Sequence, residues 1–161
     1  MGVLRFDKDT SAAVAPSRMF KAFILDSHNL FPKLFPQAFK SVVYEQGDGE
    51  AGSVKIMYFA EGNKHTYAKQ RIDVLDKEKF YCKYTVFEED NMLDILESIV
   101  YEIKFEASGD GGSNCKTATE FHIKGDGESK LEEELKGSVE LGTALFKAVE
   151  AHLLANPDLY A

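Results

Sequence analysis

The chain has 161 residues, 44% hydrophobic and 29% charged, which suits one globular domain over residues 1–161 with enough length for a real core. A formal charge of −8, with lysines scattered and no run of Lys and Arg, argues against a nucleic-acid partner. Apolar runs only a few residues long argue against a membrane partner, and Met1-Gly2-Val3-Leu4-Arg5-Phe6 lacks a basic region followed by an apolar block. The expectation is a cytoplasmic protein; Phe6 stands where a myristoylation signal beginning at Gly2 would need Ser or Thr.

In chain order, Val3–Val14 reads as a strand, with Leu4 and Phe6 on one parity. Pro16 opens a helical segment at a position where its missing N–H costs nothing, and Met19, Phe20, Phe23 and Ile24 supply the apolar face. Asp26-Ser27 breaks the pattern, Asn29–Leu34 reads as a second short helix, and Pro36 ends it. From Phe39 onward the period changes to two. Strands are expected at Ser41–Gln46, Ser53–Ala60, His65–Leu75, Lys79–Glu88, Leu93–Ala107 and Asn114–Lys124. The turn sequences between them are short, which implies an antiparallel meander, since parallel neighbours need long crossovers.

Ser129–Leu154 carries Leu131, Leu135, Val139, Leu145, Phe146, Val149 and Leu153 on one helical face, with Gly142 in the stripe between Val139 and Phe146. Ser129 and Glu132 form a capping-box pair at its start, and Asn156-Pro157 stops it. At 1.5 Å per residue the helix is roughly 37 Å long and needs a broad apolar surface to lie on. A curved sheet of about seven strands with this helix on its concave face satisfies both.

Strand parity describes that concave face. Ile95, Ile99, Tyr101, Ile103 and Phe105 share a buried parity, opposite Asp94, Ser98, Glu102, Lys104 and Glu106, and Glu97 falls among the buried set. Met57 and Phe59 share a face with Lys55, and Phe80, Cys82, Tyr84 and Val86 share another. Two readings stay open. Either bulges, strand ends or structural pairing accommodate Lys55 and Glu97, or a cavity lies between sheet and helix, wet at one end, with a few polar anchors in an apolar lining. Cys82 and Cys115 read as free buried thiols, and neither they nor His28, His65, His122 and His152 have metal-ligand spacing, so no metal or other cofactor is expected.

Several stretches resemble one family. They are Lys21-Ala22-Phe23-Ile24-Leu25-Asp26, Asn29-Leu30-Phe31-Pro32-Lys33, Pro36-Gln37-Ala38, Gly47-Asp48-Gly49 with Gly52, Tyr101-Glu102-Ile103-Lys104 and Leu153-Leu154-Ala155-Asn156-Pro157. Together they span nearly the whole chain and resemble the plant class-ten pathogenesis-related proteins, the family of the major birch-pollen allergen. The resemblance implies an α+β helix-grip fold: a seven-stranded curved antiparallel sheet, two short helices and a long C-terminal helix enclosing a cavity. It also implies a monomeric, defence- or stress-related protein that binds small hydrophobic or amphiphilic plant metabolites such as flavonoids, cytokinins and other hormones, sterols, fatty acids or alkaloid precursors.

Carried over by position, the lining implied is Phe23, His28, Phe31, Phe39, Met57, Phe59, His65, Tyr67, Cys82, Tyr84, Ile99 and Tyr101, with Leu141, Gly142 and Leu145 from the helix. The glycine-rich stretch Gly47, Asp48, Gly49, Glu50 and Gly52 lacks the Gly-Lys-Ser/Thr ending of a phosphate loop and joins two strands, so it reads as a turn. The chain departs from the family's common pattern at Glu50, at Cys82 and His152 (tyrosine in many relatives) and at Glu88-Glu89-Asp90, which implies an altered ligand preference.

Three classes of function follow. A carrier would stack planar rings on its aromatics and bond hydroxyls or carboxylates through Tyr84, Tyr101, His65 and Lys55. An enzyme would work in the same cavity, as a weak ribonuclease with Lys55, Glu97 and Glu150 or by amine–aldehyde condensation with Lys55 and Glu97 as acid–base groups. A phosphatase-regulating hormone receptor would need gate and latch loops that the sequence does not display.

Overall fold

A computed structural model describes residues 2–63, 65–90, 96–125 and 128–161, with the backbone alone for 128–135 and 138. Seven strands form one sheet: β1 (Gly2–Ala12), β2 (Phe39–Gln46), β3 (Val54–Phe59), β4 (Tyr67–Asp76), β5 (Tyr81–Glu89), β6 (Leu96–Ala107) and β7 (Ser113–Ile123). Their spatial order is β1-β7-β6-β5-β4-β3-β2. Every neighbouring pair is antiparallel. The meander from β2 to β7 follows from the short turns. β1 closes the far edge by pairing with β7, Gly2 opposite Ile123 and Ala12 opposite Ser113.

β1 and β2 therefore lie at opposite edges, and the link between them must cross the sheet. Helices α1 (Pro16–Phe20) and α2 (Ser27–Leu34) make that crossing. Between them Lys21–Leu25 is wound more widely, and the Asp26 N–H reaches the Lys21 carbonyl five residues back at 2.9 Å. The first strand stops two residues earlier than its alternation predicts. Val14 leaves the ladder for the core, where it is 2% exposed. The second helix begins at Ser27 rather than Asn29, because Asp26 accepts the Asn29 and Leu30 N–H groups with its carbonyl.

Helix α3 (Glu128–Ala155) is roughly 42 Å long at 1.5 Å per residue and lies on the concave face. Leu145, Phe146, Val149 and Leu153 are buried as their spacing predicts, while Val139 is 46% exposed. The side chains of Leu131, Leu135 and the Ser129–Glu132 capping pair lie outside the described residues, as do Ile95, Asp94 and the first residues of the predicted sixth-strand segment.

Glu97 requires a correction. It does not face inward; it is exposed, and Leu96 takes the buried place at 1% exposure. A register shift between Leu96 and Ser98 opposite Ile123 and His122 is the cause. An extra residue in one strand inverts the parity beyond it.

The C-terminus is fastened by one cation. Arg18 donates from Nε to the Leu159 carbonyl at 3.0 Å and from Nη2 to those of Leu153 at 3.0 Å and Asn156 at 2.8 Å. These oxygens close α3 and its Asn156-Pro157 stop, where no further turn supplies donors. The Tyr160 hydroxyl adds a hydrogen bond to the Asp26 carboxylate. Arg18→Ala is expected to cost about 1–3 kcal/mol, because a charged donor is lost from several carbonyls at once, and Arg18→Lys to recover only part of it. Urea denaturation of the three proteins checks this; a loss below about 0.5 kcal/mol, the scatter of ordinary surface changes, would overturn it.

Candidate functional site

The buried apolar side chains do not form one continuous mass. One cluster centres on Met19, Phe20, Phe105, Phe146, Val149 and Leu153, a second on Ala68, Val86, Leu96, Ile99, Phe121 and Ile123, and a third on Ala38, Phe39, Val42 and Leu145. Between them, under α3, lies a cavity of about 480 Å³. A line of rings leads from the core at Phe105 onto its wall. Phe105 lies 6.5 Å from Phe146, Phe146 6.2 Å from Phe23, Phe23 5.4 Å from Phe31, Phe31 5.5 Å from Phe39, and Phe39 5.6 Å from Phe59. Across the sheet, Tyr84 and Tyr101 stack at 4.9 Å with an 18° interplanar angle, as directly opposed residues of β5 and β6.

The lining is mostly apolar, with Ser27, Lys55, Gln70, Tyr84, Tyr101, Thr117 and Thr119 among its polar members. Lys55, on β3, is 4% exposed, and its Nζ donates to the Ser27 hydroxyl at 2.9 Å and lies 5.6 Å from the centre of the Tyr44 ring. Ser27 Oγ in turn donates to the Ile24 carbonyl at 3.3 Å. Burial lowers the Lys55 ammonium to about 8, with Cys82 opposing slightly. Burial also pushes the Cys82 thiol up to about 11 and the Cys115 thiol up to about 12, and holds the Tyr84 phenol well above its ordinary value. Cys82, Cys115 and Tyr84 are therefore neutral at physiological pH.

His65, just before β4, and Glu89, at the end of β5, border the cavity with side chains only 15% and 10% exposed. His65 Nδ1 sits 2.6 Å from the Asp90 carbonyl, a separation that places the proton on Nδ1, and Nε2 is 3.5 Å from Glu89 Oε1. The Asp90 carboxylate takes the Thr66 N–H and hydroxyl; burial opposes its ionisation, but these bonds hold its carboxyl below the usual value. On the opposite side, Phe6 and Val139 border the cavity from β1 and α3 and stay half-exposed, while Lys8 bonds to Thr143 across the gap. Among the described residues no cluster of His, Cys, Asp or Glu is arranged to hold a metal ion.

Residues 1–156 match the model of the pathogenesis-related protein Bet v 1 family. The chain belongs to the Bet v 1 family. It is 48% identical over 161 residues to pathogenesis-related protein STH-2 of Solanum tuberosum, covering all of both chains. It is 46% identical over 160 residues to major allergen Pru ar 1 of Prunus armeniaca, covering 99% of each. Among solved structures, that of Ara h 8.0201 superposes with a TM-score of 0.82 at 33% identity over 96% of this chain and 100% of that one. Norcoclaurine synthase from Thalictrum flavum, in complex with dopamine and hydroxybenzaldehyde, superposes at 0.79 with 20% identity over 96% and 88%, a likeness of fold. The seven-stranded helix-grip architecture is thus the one its residues resemble.

In this Bet v 1 family member, most of the residues named from sequence border the cavity: Phe23, Phe31, Phe39, Met57, Phe59, His65, Cys82, Tyr84, Ile99, Tyr101, Leu141, Gly142 and Leu145. Two do not. His28 is turned aside. Ser27 and Phe31, four residues apart on α2, face inward, and the neighbouring His28 packs its ring 5.1 Å from Tyr44. Its Nδ1 is buried without a hydrogen-bond partner, and burial followed by Lys55 lowers its pKa. Tyr67 lies on the outer face, its hydroxyl donating to Glu88 at 3.0 Å. The inward parity of β4 is Ala68, Gln70 and Ile72. His65 borders the cavity from before the strand, whereas Tyr67, which the family resemblance implied for the lining, takes the outward parity.

The enzyme constellation is not assembled. Lys55 is inside, Glu97 is outside on its bulge, and the Glu150 carboxylate accepts the Ala13 N–H at 2.8 Å and lies 3.6 Å from Lys147. Sequence reading missed Ser27, Gln70, Thr117, Thr119 and Phe121 at the cavity. The β7 set was accessible through alternation with Cys115. Ser27 was not, since it reads only as a helix break.

The glycine-rich turn joins β2 to β3. Gly47 and Gly49 have φ of 77° and 111°, and a Cβ on Gly47 would fall 2.3 Å from Ser53 Oγ, the group that accepts the Gly49 N–H. Gly49 borders the cavity, and Glu50 pairs outward with Lys77 at 2.7 Å.

Proposed function

We propose that this protein is a carrier for a small hydrophobic or amphiphilic plant metabolite, with planar ring systems such as flavonoids or cytokinins as the first class to test and sterols or alkaloid precursors as the next. The observation that carries the reading is the aromatic wall of the cavity, with polar groups that include Lys55, Tyr84, Tyr101 and Gln70 set into it. This is the composition of a site that gains affinity from apolar burial and orientation from a few hydrogen bonds. No catalytic set is gathered around Lys55, which favours the carrier over a ribonuclease. The relatives named as pathogenesis-related support a role in plant defence or stress. On this reading the protein works as a monomer in the cytosol, where Cys82 and Cys115 stay reduced. No helix among the described residues is long and apolar enough to cross a membrane.

A ligand of about 20–25 non-hydrogen atoms at about −0.3 kcal/mol each reaches micromolar affinity. An environment-sensitive naphthalene sulfonate dye is expected to bind saturably in that range and to be displaced by flavonoids or cytokinins. The chain has no Trp, so indole emission does not interfere. Absence of a saturable site by both dye titration and calorimetry would overturn the carrier reading.

A further inference from the structure

Lys55 is unusual among the lysines of this chain. It is 4% exposed, it borders the cavity, and it donates a hydrogen bond to a neutral hydroxyl, Ser27 Oγ. Among the described residues no carboxylate lies within ion-pair range of it. The lysines Lys69, Lys77, Lys104, Lys116 and Lys147 each face a glutamate at 2.7–3.8 Å. A structural buried lysine is normally paired, because an uncompensated ammonium in an apolar setting is costly. What the geometry offers here is an amine at the cavity border with a hydroxyl 2.9 Å away to relay a proton and no carboxylate among the described residues to hold its charge. Tyr44 and His28 are, besides the Cys82 thiol, the titratable groups beside Lys55. The first is a neutral phenol, and the second is held neutral by burial and by Lys55 itself.

We propose that Lys55 is a nucleophilic amine that captures lipophilic aldehydes as a reversible imine inside the cavity, with the aldehyde's ring held against the Phe23–Phe31–Phe39–Phe59 wall. This deepens the carrier reading and rests on it. The neutral Nζ lone pair adds to the carbonyl carbon, and the C=O π pair moves to oxygen, which takes one of the two amine protons. The hydroxyl of this carbinolamine then leaves with the second amine proton as water, giving the C=N bond. No oxidant or reductant takes part. Ser27 Oγ, 2.9 Å from Nζ and able both to accept and to donate, is placed to pass the first proton. With its ammonium lowered to about 8, Lys55 is neutral in about one molecule in ten at pH 7, against about one in three thousand for an ordinary lysine. The neighbouring Cys82 thiol, raised to about 11, does not compete as a thiolate.

The test uses 2-naphthaldehyde, which cannot enolise or undergo conjugate addition, with 2-naphthalenemethanol as the non-electrophilic control. The full-length protein is treated with the aldehyde and sodium cyanoborohydride at pH 7, and reduced adducts are located by peptide mass spectrometry. Binding of the alcohol is measured by dye displacement. The expected result is labelling of Lys55 at least tenfold faster than of any other lysine, with excess alcohol protecting Lys55 alone. Lys55→Met is expected to reduce total labelling to the surface level; if that variant fails to fold, alcohol protection in the wild type carries the same information. Alcohol binding with labelling spread evenly over the lysines would overturn the imine and leave the carrier reading standing. No alcohol binding and no Lys55 labelling would overturn both.

Discussion

Gly142→Leu is expected to leave the melting temperature unchanged or raise it by a few degrees, and to weaken dye binding at least tenfold. Gly142 lies inside α3 on the cavity border, and a Cβ built there meets no atom within 4 Å. A helix-interior glycine costs about 0.5–1 kcal/mol relative to alanine, and leucine is nearly as good a helix former as alanine. Gly142 is exposed, so the gain comes from helix propensity alone, about 0.5–1 kcal/mol, or about 1–4 °C for a chain of this size. Were helix and sheet in close contact at this point, the same change would overpack the core and cost about 1–3 kcal/mol. Thermal melting and dye titration on this one variant distinguish the two. A large fall in melting temperature with dye affinity intact would refute the cavity at Gly142.

Lys55→Met is expected to stabilise the protein at pH 7 by roughly 1–3 kcal/mol, and the gain is expected to fade as pH rises. The folded ammonium titrates at about 8, against 10.5 in the unfolded chain, with burial as the leading cause. Below about 8 both states hold the proton, and the folded state bears the full cost of a buried charge. Between about 8 and 10.5 the unfolded chain still binds the proton and the folded one does not, so wild-type stability from this group rises with pH across that window. The difference between about 8 and 10.5 corresponds to roughly 3 kcal/mol, from which loss of the Ser27 hydrogen bond subtracts about 1. Methionine keeps the length of the lysine stem without its charge. Urea midpoints of wild type and variant at pH 7 and pH 10 check the difference. A variant less stable than wild type at pH 7 would mean that the ammonium is satisfied in the fold, and would weaken the case for a free amine.

Much of the architecture is legible in local pattern. Period-two alternation with short turns leaves little choice but an antiparallel meander, and a 28-residue helix with a 3.6-residue stripe has only that sheet to lie on. Proline and glycine punctuate where backbone chemistry demands it. Pro16 opens α1, Asn156-Pro157 closes α3, and Gly47 and Gly49 turn β2 into β3. The same alternation places Lys55 with Met57 and Phe59, and Tyr84 with Tyr101, because an unbroken strand transmits its parity faithfully.

Tertiary structure decided what parity cannot carry across an irregularity. The bulge at Leu96–Ser98 turns Glu97 outward, and β4 starts at Tyr67, so that His65 borders the cavity from before the strand while Tyr67 faces away. Neither break has a distinctive residue to announce it. On α2 a rotation of one residue separates Ser27, inside, from His28, against Tyr44, and only the packing of that helix on β2 sets the angle. The cavity itself is likewise invisible locally. The sequence by itself determined that an apolar helix must cover an apolar sheet, with Lys55 on the parity of Met57 and Phe59 and two readings of its surroundings open. Whether they touch or stand apart depends on how α1, α2 and the Arg18-clamped C-terminus prop α3 at one end. That distance is set by the sum of many packed side chains, and no single segment encodes it.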